Sequence, residues 1–280
     1  MTTTQQAAQR GFVQTPHGQI EYRESGEGTP LLMMHATPAS SATFEPYFPL
    51  IPGVRLIAMT TIGYGESARP PEPYTSVEQY AQSVAWFLDR LGLEHVDIFG
   101  THTGGVIAVE VAAAWPERVG RLILDEVGNY ANSEGLELHS NIHRYYEERP
   151  DGAHLVELWQ RLGGEQPGAD LDRVTHRLID NLKVNSVQGC EAAYGHMGWE
   201  GAGPYAICRY DTVENGPRIQ APTLLIYGES SKLRPVGEEL GQRIPRSRLQ
   251  LMPSEGMFTI DQGPERWASA VREFLREPGV

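Results

Sequence analysis

The chain has 280 residues, 40% hydrophobic and 21% charged, enough for one large α/β domain or for a core carrying an inserted cap. Its formal net charge of −13 comes without a basic cluster, which sets aside nucleic acid and anionic membrane as partners. No apolar run approaches a membrane span, and two cysteines with no CxxC and no ligand-spaced His/Cys cluster argue against a disulfide scaffold or a structural zinc.

The polar opening MTTTQQAAQR lacks an apolar signal region, so residues 1–10 are expected to be a flexible tail and the protein cytoplasmic. QIEYRES (19–25) alternates like an early antiparallel edge strand. PLLMMHA (30–36) and VRLIAMT (54–60) are continuous apolar runs, as in strands buried on both faces. SVEQYAQSVAWFLDRLGL (76–93) has helical periodicity and stops at Gly92. VDIFG (96–100) predicts a buried strand, the stretch from Thr103 a helix ending near Pro116, and RLILDE (121–126) a strand closing on two carboxylates.

From Gly128 to Arg218 no strand run is visible; LELHSNIHRYYEER, HLVELWQRLGG and DLDRVTHRLIDNLKVN all fit helical spacing. His139 and His143 share one helix face, but no third ligand accompanies them, and no metal is expected. The glycine-rich, aromatic stretch 192–210 suits a loop across a pocket mouth, with Tyr194, His196, Trp199 and Tyr205 as substrate-lining candidates. APTLLIYGE (221–229) and SRLQLMP (247–253) resume the sheet, and PERWASAVREFLRE predicts a closing helix. No internal repeat, phosphate loop or nucleotide fingerprint is present, so no cofactor is expected.

Five stretches carry a resemblance when taken in order. HATPASS (35–41) resembles an HGxP oxyanion loop, TTIGYGES (60–67) a DxxGxGxS turn, and GTHTGG (100–105) a GxSxG nucleophile elbow. WPERVGRLIL then follows as a helix-to-strand link, and PTLLIYGE as the strand before a catalytic acid. Together they make the chain resemble the α/β-hydrolase fold family over nearly its whole length. The resemblance implies a mainly parallel, eight-stranded-type sheet with helices on both faces. The core would span 11–127 and 219–280, and a helical cap 128–218.

It also implies a nucleophile, an acid and a histidine, and here all three positions are changed. His102 stands at the nucleophile, Ser231 at the acid and Met257 at the histidine. No hydroxyl activated by an imidazole can be assembled from them, so an ordinary esterase reading fails. Haloalkane dehalogenases, which the HATPASS loop also resembles, place their acid where Glu126 stands. Dehalogenation needs an aspartate nucleophile and a halide-holding pair, and His102, Thr37 and Thr103 occupy those positions, which excludes it.

An imidazole reaches further than a hydroxymethyl group, so the His102 ring is expected to fill the volume left by the missing histidine at Met257. Glu126, or Asp125, would accept its N–H and fix the tautomer. The helix N-terminus disfavours imidazolium and a carboxylate favours it; a balance near neutrality would suit a general base. The amides of Thr37 and Thr103 are the expected oxyanion donors, because changing a side chain leaves its amide hydrogen in place. His35 is read as a satisfied structural histidine at the pocket wall, with Asp125 and Met257 as further lining.

A base facing two donors suits proton abstraction beside a carbonyl: β-elimination, retro-aldol-like C–C cleavage, enolisation or cyclisation. Hydrolysis by His102-activated water and a ligand-binding pseudoenzyme are the alternatives. The partner expected is a small carbonyl-bearing organic molecule, on a monomer or homodimer.

Overall fold

Buried strands come first from the apolar runs. In a computed structural model, which describes residues 8–72, 74–131, 148–185, 202–253 and 256–277, they are β3 (Pro30–Met34), β4 (Arg55–Met59), β5 (Val96–Thr101), β6 (Val119–Asp125), β7 (Thr223–Gly228) and β8 (Ser247–Met252). β1 (Gln9–Thr15) and β2 (Gly18–Ser25) precede them, and the eight form one sheet in the order β1-β2-β4-β3-β5-β6-β7-β8. β1 and β2 pair antiparallel with each other, and β2 pairs antiparallel with β4. Every other pairing is parallel.

Two expectations are corrected at this edge. Gln9 and Arg10 belong to β1 rather than to a tail, and β2 is an inner strand because β1 covers it. β1 was invisible because an edge strand facing water on one side carries few apolar residues.

Helix α1 (Val77–Arg90) starts at a capping box, with Ser76 and Gln79 each satisfying an otherwise orphaned backbone N–H. Helix α2 (Thr103–Ala114) is buried from Thr103 to Ala113, so it is apolar on every side. It runs back from the end of β5 and carries the site at its N-terminus. Between β6 and β7 the described residues hold α3 (Ala153–Arg161), α4 (Leu171–Asn185) and α5 (Ala202–Ile207). α6 (Thr212–Asn215) returns to the core, followed by α7 (Arg234–Arg243), α8 (Thr259–Gln262) and α9 (Pro264–Arg276). Tyr194, His196, Trp199, His139 and His143 lie outside the described residues. Among the described residues no helix is long and apolar enough to cross a membrane, and no group of three His, Cys, Asp or Glu could hold a metal.

A buried polar hub secures the strand ends near the first loops. Glu21, 1% exposed, accepts from Arg10 at 2.7 Å, Arg23 at 2.9 Å, Thr60 Oγ1 at 3.0 Å and the Glu66 N–H at 3.2 Å. Burial alone raises this carboxyl's pKa, but Arg23 foremost, then those hydrogen bonds and Arg10, outweigh it and lower the net value. Its ionic stabilisation is therefore present at neutral pH and lost as acid protonates it. Removing one partner from such a cluster strands the remaining buried groups. Glu21→Ala is expected to lower unfolding free energy by about 3 kcal/mol in urea titration at pH 7.

Candidate active site

The elbow exists because the chain must turn between β5 and α2 within a few residues. His102 sits there at φ 47°, ψ −117°, a strained left-handed conformation for a residue with a Cβ. Glycines make room for it: a Cβ on Gly104 would stand 2.3 Å from the Met34 carbonyl oxygen, and one on Gly105 2.2 Å from Val127. The His102 N–H is taken up by the Asp125 carbonyl at 3.1 Å. Strain at the tip is thus held in place from the neighbouring strand.

The His102 side chain is half-buried, and its Nε2 lies 2.9 Å from the carbonyl oxygen of Met257. A carbonyl only accepts, so Nε2 carries the proton, and in the neutral ring Nδ1 keeps the lone pair. Phe258, 46% exposed, stands with its ring 5.6 Å from the imidazole. Burial pushes the His102 pKa down to about 4, against smaller opposing effects of the Met257 bond and Asp261. Desolvation, rather than a balance of dipole and carboxylate, sets the protonation state.

The expected His102–Glu126 pair does not form. Glu126, fully buried at φ 50°, directs Oε1 to the Gly228 N–H at 2.6 Å and Oε2 to the Ser231 hydroxyl at 2.5 Å. The two acid positions of this fold, after β6 and after β7, therefore meet each other, while the His102 ring bonds the Met257 carbonyl instead. Burial drives the Glu126 pKa up to about 8.

Asp125 is likewise no pocket wall. It is fully buried, with Oδ2 accepting from Thr101 at 2.9 Å and Oδ1 from the Thr259 hydroxyl, and burial pushes its pKa up to about 7. His35 is structural too, at 2% exposure. Its Nδ1 bonds the Ala36 carbonyl at 2.9 Å, and its Nε2 accepts the Thr61 N–H at 3.0 Å, latching two loops together. Burial also takes its pKa down to about 4.

The amide N–H groups of Thr37 and Thr103 have no acceptor among the described residues. The Thr37 hydroxyl donates to Tyr64 Oη at 3.3 Å. Above them α5 closes the site: a Cβ on Gly203 would fall 2.2 Å from Tyr64 Oη and 3.1 Å from Thr37 Oγ1. Tyr205 stands on that helix, its ring covered by the Arg209 guanidinium at 3.4 Å.

Helix α4 is tied to the loops at the sheet's end at three points. Arg173 pairs with Asp261, Asp180 accepts from the Ser40 hydroxyl at 3.0 Å, and Lys183 pairs with Glu66. Positions 173, 177 and 180 share one helix face, so Arg177, an exposed residue, lies between the Asp261 and Ser40 contacts. Burial foremost, then Arg173, lowers the pKa of Arg177, and no hydrogen bond or ion pair engages its guanidinium among the described residues. Asp261 is already occupied by Arg173 and by Tyr47 Oη at 2.5 Å. Sequence reasoning missed Arg177, Phe258 and Asp261; helical spacing could have placed Arg177 on the same face of α4 as Arg173 and Asp180.

A family model described as alpha/beta hydrolase fold matches residues 29–264. The chain belongs to the α/β-hydrolase fold family. This α/β-hydrolase is similar to the 2-hydroxymuconate semialdehyde hydrolase of Pseudomonas sp. (strain CF600), 32% identical over 270 residues covering 91% of this chain and 89% of the relative. The enzyme of the same name from Pseudomonas putida is 27% identical over 264 residues, covering 91% and 89%. Among solved structures, a hydrolase from Pseudomonas aeruginosa PA01 superposes with a TM-score of 0.75 at 20% identity, covering 97% of this chain and 100% of that one, a likeness of fold. Within this α/β-hydrolase the elbow is built as the family builds it; its tip residue is different.

A carboxyl whose folded pKa is raised binds its proton more tightly folded than unfolded, so stability falls as pH rises between the two values. For Glu126 that window runs from its ordinary 4.5 to about 8. Across it, wild type should lose stability relative to Glu126→Gln in urea titrations; a constant difference would contradict the raised value.

Proposed function

We propose that this chain is an enzyme in which the neutral imidazole of His102 acts as general base and then general acid, where family members carry a nucleophile. The observation behind this reading is the hydrogen bond from His102 Nε2–H to the Met257 carbonyl. It orients the ring from its far side and leaves Nδ1 as the basic atom. Nδ1 is bonded to Cγ, the atom that takes the place of a serine hydroxyl, so the base works where a nucleophile otherwise would. The uncommitted amides of Thr37 and Thr103 would hold the oxygen of an enolate as a proton leaves the carbon beside a carbonyl. With no hydroxyl or carboxylate at the tip, no acyl-serine or alkyl-aspartate intermediate forms.

Two features support a small organic acid bearing a carbonyl as the substrate. Arg177 offers an exposed guanidinium that no described residue engages, one helical turn from the Arg173–Asp261 pair, and a planar fork of donors matches a carboxylate. Two relatives are named for 2-hydroxymuconate semialdehyde, which has this chemistry. Elimination, isomerisation and cyclisation of such a compound begin with proton abstraction beside the carbonyl, whereas retro-aldol-like C–C cleavage begins with removal of a hydroxyl proton and releases the enolate as the C–C bond breaks. A second reading, favoured by the relatives' being named hydrolases, has His102 draw its proton from water.

Turnover of 2-hydroxymuconate semialdehyde, and of a panel of small oxo acids, tests the reading. His102→Ala should lower kcat by about 10²–10⁴-fold, the usual worth of a positioned base. Full turnover by that variant would sink the proposal, and tight binding by wild type without turnover would favour a ligand-binding role. Activity should hold from neutral pH downward and fall through about pH 4 as His102 takes a second proton. Arg177→Ala should raise KM about 10–100-fold for carboxylate substrates with kcat little changed. Run in heavy-oxygen water, label in the product selects the hydrolytic reading, and its absence selects the others.

A further inference from the structure

Asp125 is a buried carboxyl that the proposed chemistry does not use, and its position is expensive. A carboxyl taken wholly out of water is costly unless its oxygens are matched by donors, and an apolar side chain there would avoid the cost. Here both oxygens are matched, and the two donors come from different parts of the chain. Thr101, at 2.9 Å from Oδ2, immediately precedes His102 at the end of β5. Thr259, bonded to Oδ1, opens α8 and follows Met257 by two residues. The Asp125 main-chain oxygen meanwhile accepts the His102 N–H at 3.1 Å.

The His102 Nε2–H···O=C Met257 bond thus has both of its ends tied to one residue. One end is the backbone that carries the ring, fixed through Thr101 and the His102 N–H. The other is the segment that presents the Met257 carbonyl, fixed through Thr259. We infer that Asp125 is a positioning residue, holding elbow and α8 in register so that the His102 ring is locked as its Nε2–H tautomer with Nδ1 free. It acts through hydrogen bonds to two threonines and touches no substrate. The inference rests on the reading of His102 as the base, but its test is independent of turnover.

The test uses full-length protein with 15N-labelled histidine and long-range proton–nitrogen spectra of the imidazoles near pH 7. In wild type, His102 should show a protonated Nε2 and an unprotonated Nδ1. Thr259→Val and Thr101→Val each delete one hydroxyl at almost constant volume, a smaller change than Asp125→Ala, which strands both threonines. Thr259→Val and Asp125→Ala should collapse the separation of the two His102 nitrogen shifts toward an average of tautomers. Asp125→Asn, which both threonine hydroxyls can still meet by rotating, should restore most of it. The buried ring of His35, held by Ala36 and Thr61, is the internal control and should not move. An unmoved His102 signature in Thr259→Val and Asp125→Ala would overturn the inference, and so would equal disturbance of His35, which marks a general structural role. Failure of the parent reading shows elsewhere, as an active His102→Ala enzyme.

Discussion

One hydrogen bond, from an imidazole on the elbow to a main-chain carbonyl in the loop after β8, organises the rest of the site. In the family pattern a hydroxyl at the elbow meets an imidazole from that loop. Here the ring comes from the elbow, and the loop supplies a carbonyl. That exchange changes the chemistry, because a carbonyl can fix a neutral tautomer but cannot take or stabilise a proton as a carboxylate does. Among the described residues nothing in contact with His102 favours its charged form strongly enough to offset burial, which is why its pKa falls to about 4. The ring is thus uncharged over the whole neutral range, and the proposed base has modest basicity.

The carboxylates near the site serve the scaffold. Glu126 spans the ends of β6 and β7 through Gly228 and Ser231, and Asp125 spans β5, β6 and α8 through its threonines. Each has a raised pKa because its burial outweighs the hydrogen bonds it accepts. They add specificity of position more than stability, which is the use of buried polar groups that best survives their desolvation cost. The strained φ angles at His102 and Glu126 persist because these neighbouring bonds over-determine the two turns.

How far the sequence foretold this differs from part to part. Continuous apolar runs such as PLLMM and TLLIY marked the central strands, and the Ser76–Gln79 box and Gly92 bracketed α1, because each is set by local chemistry. β1 escaped because an exposed edge strand has no apolar signature. At the site, motif position marked the turn between β5 and α2, which the backbone fixes. Side-chain partners were another matter. Glu126 in RLILDE stands where a family acid would be, yet its carboxyl turns to Ser231, 105 positions later in the chain. Arg177 emerged only once α4 had been laid across the core between Asp261 and Ser40. Partners brought together by topology leave no trace in local spacing.

The account stands on a single proton. Neutron diffraction from deuterium-exchanged crystals near neutral pD would locate it directly. The account predicts nuclear density for deuterium on Nε2 of His102, pointing at the Met257 carbonyl, and none on Nδ1. Deuterium on Nδ1, alone or together with Nε2, would mean the opposite tautomer or an imidazolium, and the base would not be the one described.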